Sequence, residues 1–298
     1  MATEFMTNLM TKLKQDKGLA ESTIRQYMRN LVTLNEKKPF DSFAFLKKKK
    51  DIDAKMVPYS ANTRRSLLST IVSVLSLVKE QKGFKALYSK YYDDMMNFQV
   101  PKQNHEKTEK ESENWIDWKD VLKIKEDLAS KKDKSWNDAL RYIVLCLYTD
   151  LQPRRNQDYM LMDVVPKITK DLPTDRNYYG TKEGVFVFNR YKTQKKYGQQ
   201  VVDVPHSLQV CLKDYLSKHP LKKEKVYPLL VSAKGEPLTT INAITRILNS
   251  IFHKKIGASM LRHIFLSSKY DINEMKNDAE VMAHSTDMQK EYLRTDST

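Results

Sequence analysis

Residues 185–205, VFVFNRYKTQKKYGQQVVDVP, contain two apolar runs that are separated by a polar and basic turn. In the first run, Val185 and Val187 alternate with phenylalanines, and the second run covers residues 200–205. Short runs of β-branched and aromatic residues on either side of a glycine-containing turn are typical of a β-hairpin. The sequence therefore predicts a small antiparallel sheet here, with the basic turn 193–198 at its end.

Most of the remaining chain shows apolar side chains at three- and four-residue spacing, which predicts amphipathic helices. The first such face comprises Ile24, Tyr27, Met28, Leu31 and Leu34. The second face follows Asn62, a candidate N-cap, and comprises Leu67, Leu68, Ile71, Val74, Leu75 and Val78. Further helical patterns lie at about 3–14, 117–130 and 135–148, and others begin near residues 206, 239, 259 and 276. We expect a mainly α fold with β structure confined to the one small antiparallel sheet.

One segment separates the chain into two parts. Residues 101–114, PKQNHEKTEKESEN, contain no apolar residue except the first proline. A segment of this composition cannot bury a core, so we expect a linker. It divides the 298 residues into a helical domain at 1–100 and a second domain at 115–298. Two domains also agree with a typical size of roughly 150 residues each.

The chain is strongly basic, with 52 Lys and Arg residues, 37 Asp and Glu residues and a formal net charge of +15. The excess is +9 in residues 1–110 and +6 in the remainder, so both domains are expected to face the same polyanion. Gly-x-Gly-x-x-Gly and the phosphate-loop pattern are absent, which disfavours common nucleotide-binding enzymes. The sequence contains no run of about 18 apolar residues, so it predicts no membrane span, and we expect no membrane partner.

The two cysteines, Cys146 and Cys211, both lie in apolar surroundings. Two are too few for a disulfide framework or for a zinc site built from cysteines. We expect both to be buried thiols in a reducing, intracellular compartment. The sequence thus predicts no metal site and no cofactor.

Four short segments in the second half hold the side chains that are suited to chemistry. They are Arg154-Arg155 with Asp158, Lys192-Thr193, Ser259-x-x-Arg262 followed by His263, and Ala283-His284-Ser285 followed by Tyr292. A single arginine or tyrosine carries little information, since the chain contains 16 tyrosines alone. The order and the spacing of all four segments together form a strong signal.

This order resembles the tyrosine recombinase, or phage-integrase-like, family. In that family an arginine at a helix end is followed three positions later by an acidic residue, as Arg155 is followed by Asp158. A lysine on a β-hairpin comes next, then a His-x-x-Arg box, and then a Gly-His-Ser box shortly before a nucleophilic tyrosine. The resemblance covers about residues 115–298, and residues 1–100 resemble the family's helical core-binding domain. It implies a two-domain, site-specific DNA recombinase or integrase.

The resemblance implies five catalytic residues, which are Arg155, Lys192, Arg262, His284 and Tyr292. Arg155 and Arg262 would hold the non-bridging phosphate oxygens, because guanidinium groups are bidentate donors and permanently charged. Tyr292 would attack the phosphorus and form a 3′-phosphotyrosyl linkage, while Lys192 would give a proton to the leaving 5′-oxygen. His284 would orient the phosphate. Since one ester replaces another and the arginines supply the charge, neither ATP nor a metal is needed.

Two of these residues have basic rivals close by. Arg154 competes with Arg155, and the acidic spacing favours Arg155. Lys195 and Lys196 compete with Lys192, which is favoured because Thr193 follows it.

The chain also departs from the family pattern. Ser259 stands where the family has the first histidine of the His-x-x-Arg box, and a serine cannot act as an imidazole base. Ser259, His263 and Asp158 are candidate supporting residues. The Ser259 hydroxyl can still bond a phosphate oxygen, and Asp158 would orient Arg262 or cap a helix. Such variants resemble the recombinases of eukaryotic viruses and mobile elements, which would act in a nucleus or a viral replication compartment. A prokaryotic member would act in the cytoplasm.

The partner implied is double-stranded DNA, on which the chain would form a homo-oligomer, either a dimer or a tetramer. The basic residues expected to contact the DNA are Arg25, Arg64, Arg65, Arg154, Lys195 and Lys196. Two alternatives stay open. One is a type IB topoisomerase-like enzyme, which uses a similar set of Arg, Lys, Arg, His and Tyr. The other is a catalytically impaired DNA-binding protein.

Overall fold

The computed structural model describes residues 2–99 and 107–269. The chain divides into two compact units, Met1–Glu106 and Lys107–Thr298. The described part of the chain is mainly helical, with one small sheet in the second unit. Among the described residues, no helix has the length and the apolar composition that a membrane span requires.

The N-terminal unit consists of helices. They are α1 (Glu4–Gln15), α2 (Glu21–Leu34), α3 (Lys49–Met56), α4 (Ala61–Leu75) and α5 (Lys85–Asn97), with a 3-10 turn at Ala44–Lys47. Helix α4 begins before the predicted cap Asn62, because the Ser60 hydroxyl accepts the backbone N–H of Thr63 and thereby caps the first turn.

The core of the N-terminal unit follows the predicted apolar faces. The predicted residues of α4 that are buried are Leu67, Leu68, Ile71, Val74 and Leu75. Burial of a side chain of this size contributes about 1.5–3 kcal/mol. Polar groups inside this core are paired, since Asn30 donates to the Thr70 hydroxyl at 2.7 Å and the Tyr91 hydroxyl donates to the Leu46 carbonyl at 3.0 Å.

The C-terminal unit combines eight helices and five strands within its described residues. The helices are α6 (Glu109–Asn114), α7 (Trp118–Ser130), α8 (Trp136–Thr149), α9 (Asn156–Met160), α10 (Gln194–Tyr197), α11 (His206–Ser217), α12 (Ile241–Phe252) and α13 (Ala258–Lys269). The strands are β1 (Met162–Val165), β2 (Asn177–Gly180), β3 (Val185–Phe188), β4 (Gln200–Asp203) and β5 (Tyr227–Pro228). Helix α8 contributes eight buried residues to this core.

The predicted hairpin is present, but the sheet around it differs from the prediction. Strands β3 and β4 pair antiparallel, with Val185 opposite Asp203 and Phe188 opposite Gln200. The strand order is β4-β3-β2-β1-β5, and β1 pairs with β2 in parallel, so the sheet is mixed. The expectation of one antiparallel hairpin was wrong in this respect. Strands β1 and β2 are short and almost wholly buried, so they show no alternation of apolar and polar residues.

The second half of the predicted linker is structured. Residues 101–106 lie outside the described residues, but Glu109–Asn114 forms helix α6. Its first turn is closed by a capping box, in which Thr108 and Glu111 bond to each other's backbone N–H groups. Asn114 then accepts the backbone N–H of Lys255 at 2.8 Å. The bond from Lys255 ties helix α6 to the rest of the unit, although α6 has no apolar side chain to bury.

Candidate functional site

The loop from α8 to α9 carries the two adjacent arginines. Residue Arg155 is the N-cap of α9 and has extended backbone angles, φ −79° and ψ 148°. The Arg155 side chain is half-buried. Its guanidinium makes no hydrogen bond or ion pair with any other described residue, which leaves its donors available to a ligand.

Arg154, in contrast, makes two side-chain hydrogen bonds within the protein. Its Nε donates to Oδ2 of Asp158 at 2.9 Å, and its Nη2 donates to the Gln200 side-chain oxygen at 3.0 Å. The guanidinium also lies 3.8 Å from the centre of the Phe188 ring. Arg154 therefore ties α9 to both strands of the β3–β4 hairpin.

Asp158 is the carboxylate at the centre of this cluster. Its side chain is 4% exposed, and only Oδ2 has a hydrogen-bond partner among the described residues. Burial raises the pKa of Asp158, and the charges of Arg154, Arg155 and Arg262 act against this rise. The carboxylate thus lies within the electrostatic reach of three guanidinium groups, and its Oδ1 can accept a further donor.

Arg262, on helix α13, is the third guanidinium whose charge acts on Asp158. Its Nε donates to the Ala258 carbonyl at 3.3 Å, and its Nη2 lies 3.5 Å from the Ser259 hydroxyl. Burial lowers the pKa of Arg262, and the charge of Arg155 lowers it further. Three guanidiniums against one carboxylate leave a local excess of positive charge, and such an excess attracts anions.

Lys192 lies in the turn that follows β3, where its side chain is exposed. Its ammonium group has no hydrogen bond or ion pair with another residue of the described part. The buried Tyr191 beside it donates its hydroxyl to the Gly198 carbonyl at 2.7 Å, which closes the turn. Gly198 has φ +68°, a conformation that glycine adopts without strain. The backbone at Lys192 is therefore held while its side chain projects into solvent.

The predicted polar turn is itself helical. Residues 194–197 form α10, on which Lys195 and Lys196 are exposed, and the Lys196 ammonium lies 5.1 Å from the centre of the Tyr197 ring. All three lysines of this turn are thus accessible to a polyanion.

Ser259 and His263 differ in their surroundings. Ser259 is exposed in the first turn of α13, with its hydroxyl near Arg262. His263 bonds through Nδ1 to Oε1 of Glu111 at 2.7 Å. Hydrogen bonds from Thr108, and then the one with His263, lower the pKa of Glu111. One ring nitrogen of His263 is therefore occupied by helix α6.

Two buried asparagines that were not predicted from the sequence connect the elements of this region by hydrogen bonds. Asn156 accepts the Tyr148 hydroxyl at 2.6 Å and donates to the Thr245 hydroxyl at 2.9 Å, which fixes the start of α9 against α12. Asn177 donates to the carbonyls of Asp158 and Arg190, so it connects α9 to the segment before Lys192. Nothing in the sequence distinguishes these two residues, because their partners lie far away along the chain.

The remaining predicted residues fall into two groups. His284 and Tyr292 lie outside the described residues. In the N-terminal unit, Arg25 pairs with Glu21 at 2.7 Å, and both side chains are exposed. The other two arginines bond to backbone carbonyls: Arg64 to that of Tyr59 at 2.9 Å, and Arg65 to that of Phe98 at 3.3 Å.

Comparisons with known proteins give little beyond this geometry. No protein-family model matches the chain, and no curated protein sequence matches it. Among solved structures, that of XerA recombinase is similar, with 15% sequence identity over 99% of this chain and 94% of that chain and a TM-score of 0.37. A likeness this distant does not establish a reaction.

Proposed function

We propose that this chain is a DNA strand-transfer enzyme of the tyrosine recombinase type. The observation that carries the proposal is that Arg155, at the start of α9, and Arg262, on α13, both act electrostatically on the buried carboxylate of Asp158. A phosphodiester that undergoes substitution spreads negative charge over its two non-bridging oxygens. Two half-buried guanidiniums can stabilise that charge by bidentate hydrogen bonds without a metal ion.

The choice of Arg155 over Arg154 is supported by their hydrogen bonds. Arg154 uses its guanidinium to hold Asp158 and Gln200, so a phosphate would have to displace these partners. Arg155 makes no such bonds within the described residues. In this proposal Arg155 and Arg262 bind the reacting phosphate, and Arg154 holds the hairpin.

The remaining roles follow from the resemblance and from the chemistry of the step. The phenolic oxygen of Tyr292 bonds to the phosphorus, and the bond from phosphorus to the 5′-oxygen breaks. The Tyr292 proton passes to a neighbouring base, and Lys192 protonates the leaving 5′-oxygen. His284 orients the phosphate. The 3′-phosphotyrosyl ester that results retains the free energy of the original bond, so a 5′-hydroxyl can reverse the step without ATP.

A covalent-trapping experiment tests this proposal. The full chain is incubated with nicked duplex DNA, and the products are run on a denaturing gel. We expect a protein–DNA band that is lost in Tyr292→Phe and kept in Tyr270→Phe, the matched control. The band should also form in the presence of a chelator. A band that persists in Tyr292→Phe would assign the nucleophile to another residue.

A second candidate function is DNA binding without cleavage. It is favoured by the lack of a free imidazole at this site. Ser259 provides none at the first position of the box, and His263, which follows Arg262, is bonded to Glu111 through Nδ1. This candidate predicts salt-dependent DNA binding and no covalent band on any nicked substrate. The trapping gel, run beside a binding assay on the same DNA, separates the two functions.

A further inference from the structure

The two cysteines meet in the C-terminal unit, together with one carboxylate. The Sγ atoms of Cys146 and Cys211 lie 3.3 Å apart. One ligand atom from each of Cys146, Cys211 and Asp150 lies within 4.8 Å of the others. Both thiols are free and buried, as the sequence predicted. This cluster shares no residue with the arginine site.

Two features of the fold bring these three residues together: the spacing of residues along α8 and the packing of α11 against it. Cys146 lies in the last turn of α8, and Asp150 is the C-cap of the same helix, whose backbone N–H bonds to the Cys146 carbonyl at 2.9 Å. Side chains four residues apart lie on one face of a helix. Helix α11 packs against this end of α8 and brings in Cys211.

Asp150 carries the observation that points to a ligand. Its side chain is 9% exposed, and its Oδ1 accepts the Lys125 ammonium at 2.6 Å and the Ser207 hydroxyl at 3.0 Å. Its Oδ2 is buried and has no hydrogen-bond partner among the described residues. A buried carboxylate oxygen without a partner is costly, and a bound cation would remove that cost.

We propose that Cys146, Cys211 and Asp150 bind one zinc ion, with a fourth position open to water. Zinc prefers sulfur and carboxylate ligands in a tetrahedral arrangement. With Zn–S bonds of about 2.3 Å, sulfurs 3.3 Å apart subtend an angle of about 90° at the metal. An opening of about 0.5 Å between the two sulfurs, which side-chain rotation can supply, gives the tetrahedral angle.

The charges at the site balance when zinc binds. Two thiolates and one carboxylate carry three negative charges, and Zn²⁺ together with the Lys125 ammonium carries three positive charges. Binding therefore releases the two thiol protons to solvent. Ser207 is exposed at the Asp150 end of the cluster, which gives the ion a short path from solvent.

A bound ion would link α8 to α11 at the point where the arginine-bearing loop begins. Asp150 is the first residue of the loop that leads to Arg154 and Arg155. We therefore assign the metal a stabilising role in the C-terminal unit, separate from the phosphate chemistry, which needs no metal.

The test uses the reduced full chain and cobalt(II) as the spectroscopic probe. We expect one cobalt per chain, with thiolate-to-cobalt charge-transfer bands and visible bands of tetrahedral intensity, both of which zinc abolishes on titration. The double variant Cys146→Ser/Cys211→Ser should lose the charge-transfer bands. Asp150→Asn should keep them and bind cobalt about tenfold or more weakly. Asp138→Asn, in the first turn of α8 and at the opposite end of the helix from Cys146 and Asp150, is the matched control and should bind like the wild type.

A thermal measurement keeps the test valid if the cysteine variants fold poorly. Zinc should raise the unfolding temperature of the wild type, and the rise should be smaller in the nearly isosteric Asp150→Asn. The proposal is overturned if reduced, folded wild type shows no charge-transfer bands. It is equally overturned if the bands persist in the double cysteine variant, or if the two thiols only form a disulfide and neither metal binds.

Discussion

The three arginines of the N-terminal unit that were expected to contact DNA have different surroundings from Arg155 and Arg262 of the C-terminal unit. In the N-terminal unit, Arg64 and Arg65 donate to backbone carbonyls, and Arg25 pairs with a glutamate one turn earlier. In the C-terminal unit, Arg155 and Arg262 are half-buried, and the repulsion between their charges contributes to the lowered pKa of Arg262, which also donates to the Ala258 carbonyl. A protein that leaves two such cations together forgoes stability at that place. The contrast therefore supports the proposal that Arg155 and Arg262, rather than the arginines of the N-terminal unit, bind the reacting phosphate.

The largest expected effect is on Arg155. Arg155→Ala removes one of the two donors to the reacting phosphate, so the rate of covalent adduct formation should fall about 10³-fold. Arg155→Lys should restore little, because an ammonium lacks the bidentate fork. The readout is a single-turnover time course on the nicked duplex. Arg246→Ala, which removes an equal charge from an exposed position of α12, should change the rate less than about twofold.

The next effect concerns the stability of the Asp158 cluster. Asp158→Ala leaves the Arg154 guanidinium without its carboxylate in a largely buried place, so the free energy of unfolding should fall by about 3 kcal/mol. Urea unfolding of the full chain measures this change. Asp214→Ala breaks an exposed pair with Lys218 and should cost less than about 0.5 kcal/mol. Equal losses in the two variants would remove the distinction between buried and exposed pairs.

A smaller effect distinguishes Arg154 from its neighbour. Arg154→Lys loses the simultaneous bonds to Asp158 and Gln200 and the contact with Phe188, so the hairpin that carries Lys192 should be less well held. Adduct formation should slow about tenfold, with DNA affinity unchanged. The opposite ranking, with Arg154→Lys far more damaging than Arg155→Lys, would exchange the roles of the two arginines.

The smallest effect is expected in the N-terminal unit. Arg25→Ala breaks an exposed ion pair, so stability should change by less than about 0.5 kcal/mol. If Arg25 contacts a phosphate, DNA affinity should fall for all sequences alike, and the slope of log affinity against log salt should lessen by about 1. An unchanged slope would remove Arg25 from the DNA contacts and leave its pair with Glu21 as its only role.

The parts of the fold that the sequence predicted are those with local signals. The helical faces of α2 and α4 and the β3–β4 hairpin all follow from the spacing of neighbouring residues. Strands β1 and β2 were missed because they are almost wholly buried and show no alternation of apolar and polar residues, and because they pair across segments that are distant along the chain. Strand β5 was missed because it has only two residues. Helix α6 was taken as part of a linker, since its stability comes from caps and from contacts with α13 that composition does not reveal.

The candidate site was likewise predicted from the sequence only in part. The sequence alone determined that the chain is basic, mainly helical and supplied with an ordered set of residues suited to phosphate chemistry, and Arg155, Lys192 and Arg262 belong to that set. Only the tertiary structure decided that Arg154 bonds to Asp158 while Arg155 bonds to no other described residue, and that Cys146 lies beside Cys211. The reason is physical: composition and periodicity are properties of neighbouring residues, whereas the environment of a side chain depends on helices and strands that pack together from remote parts of the chain.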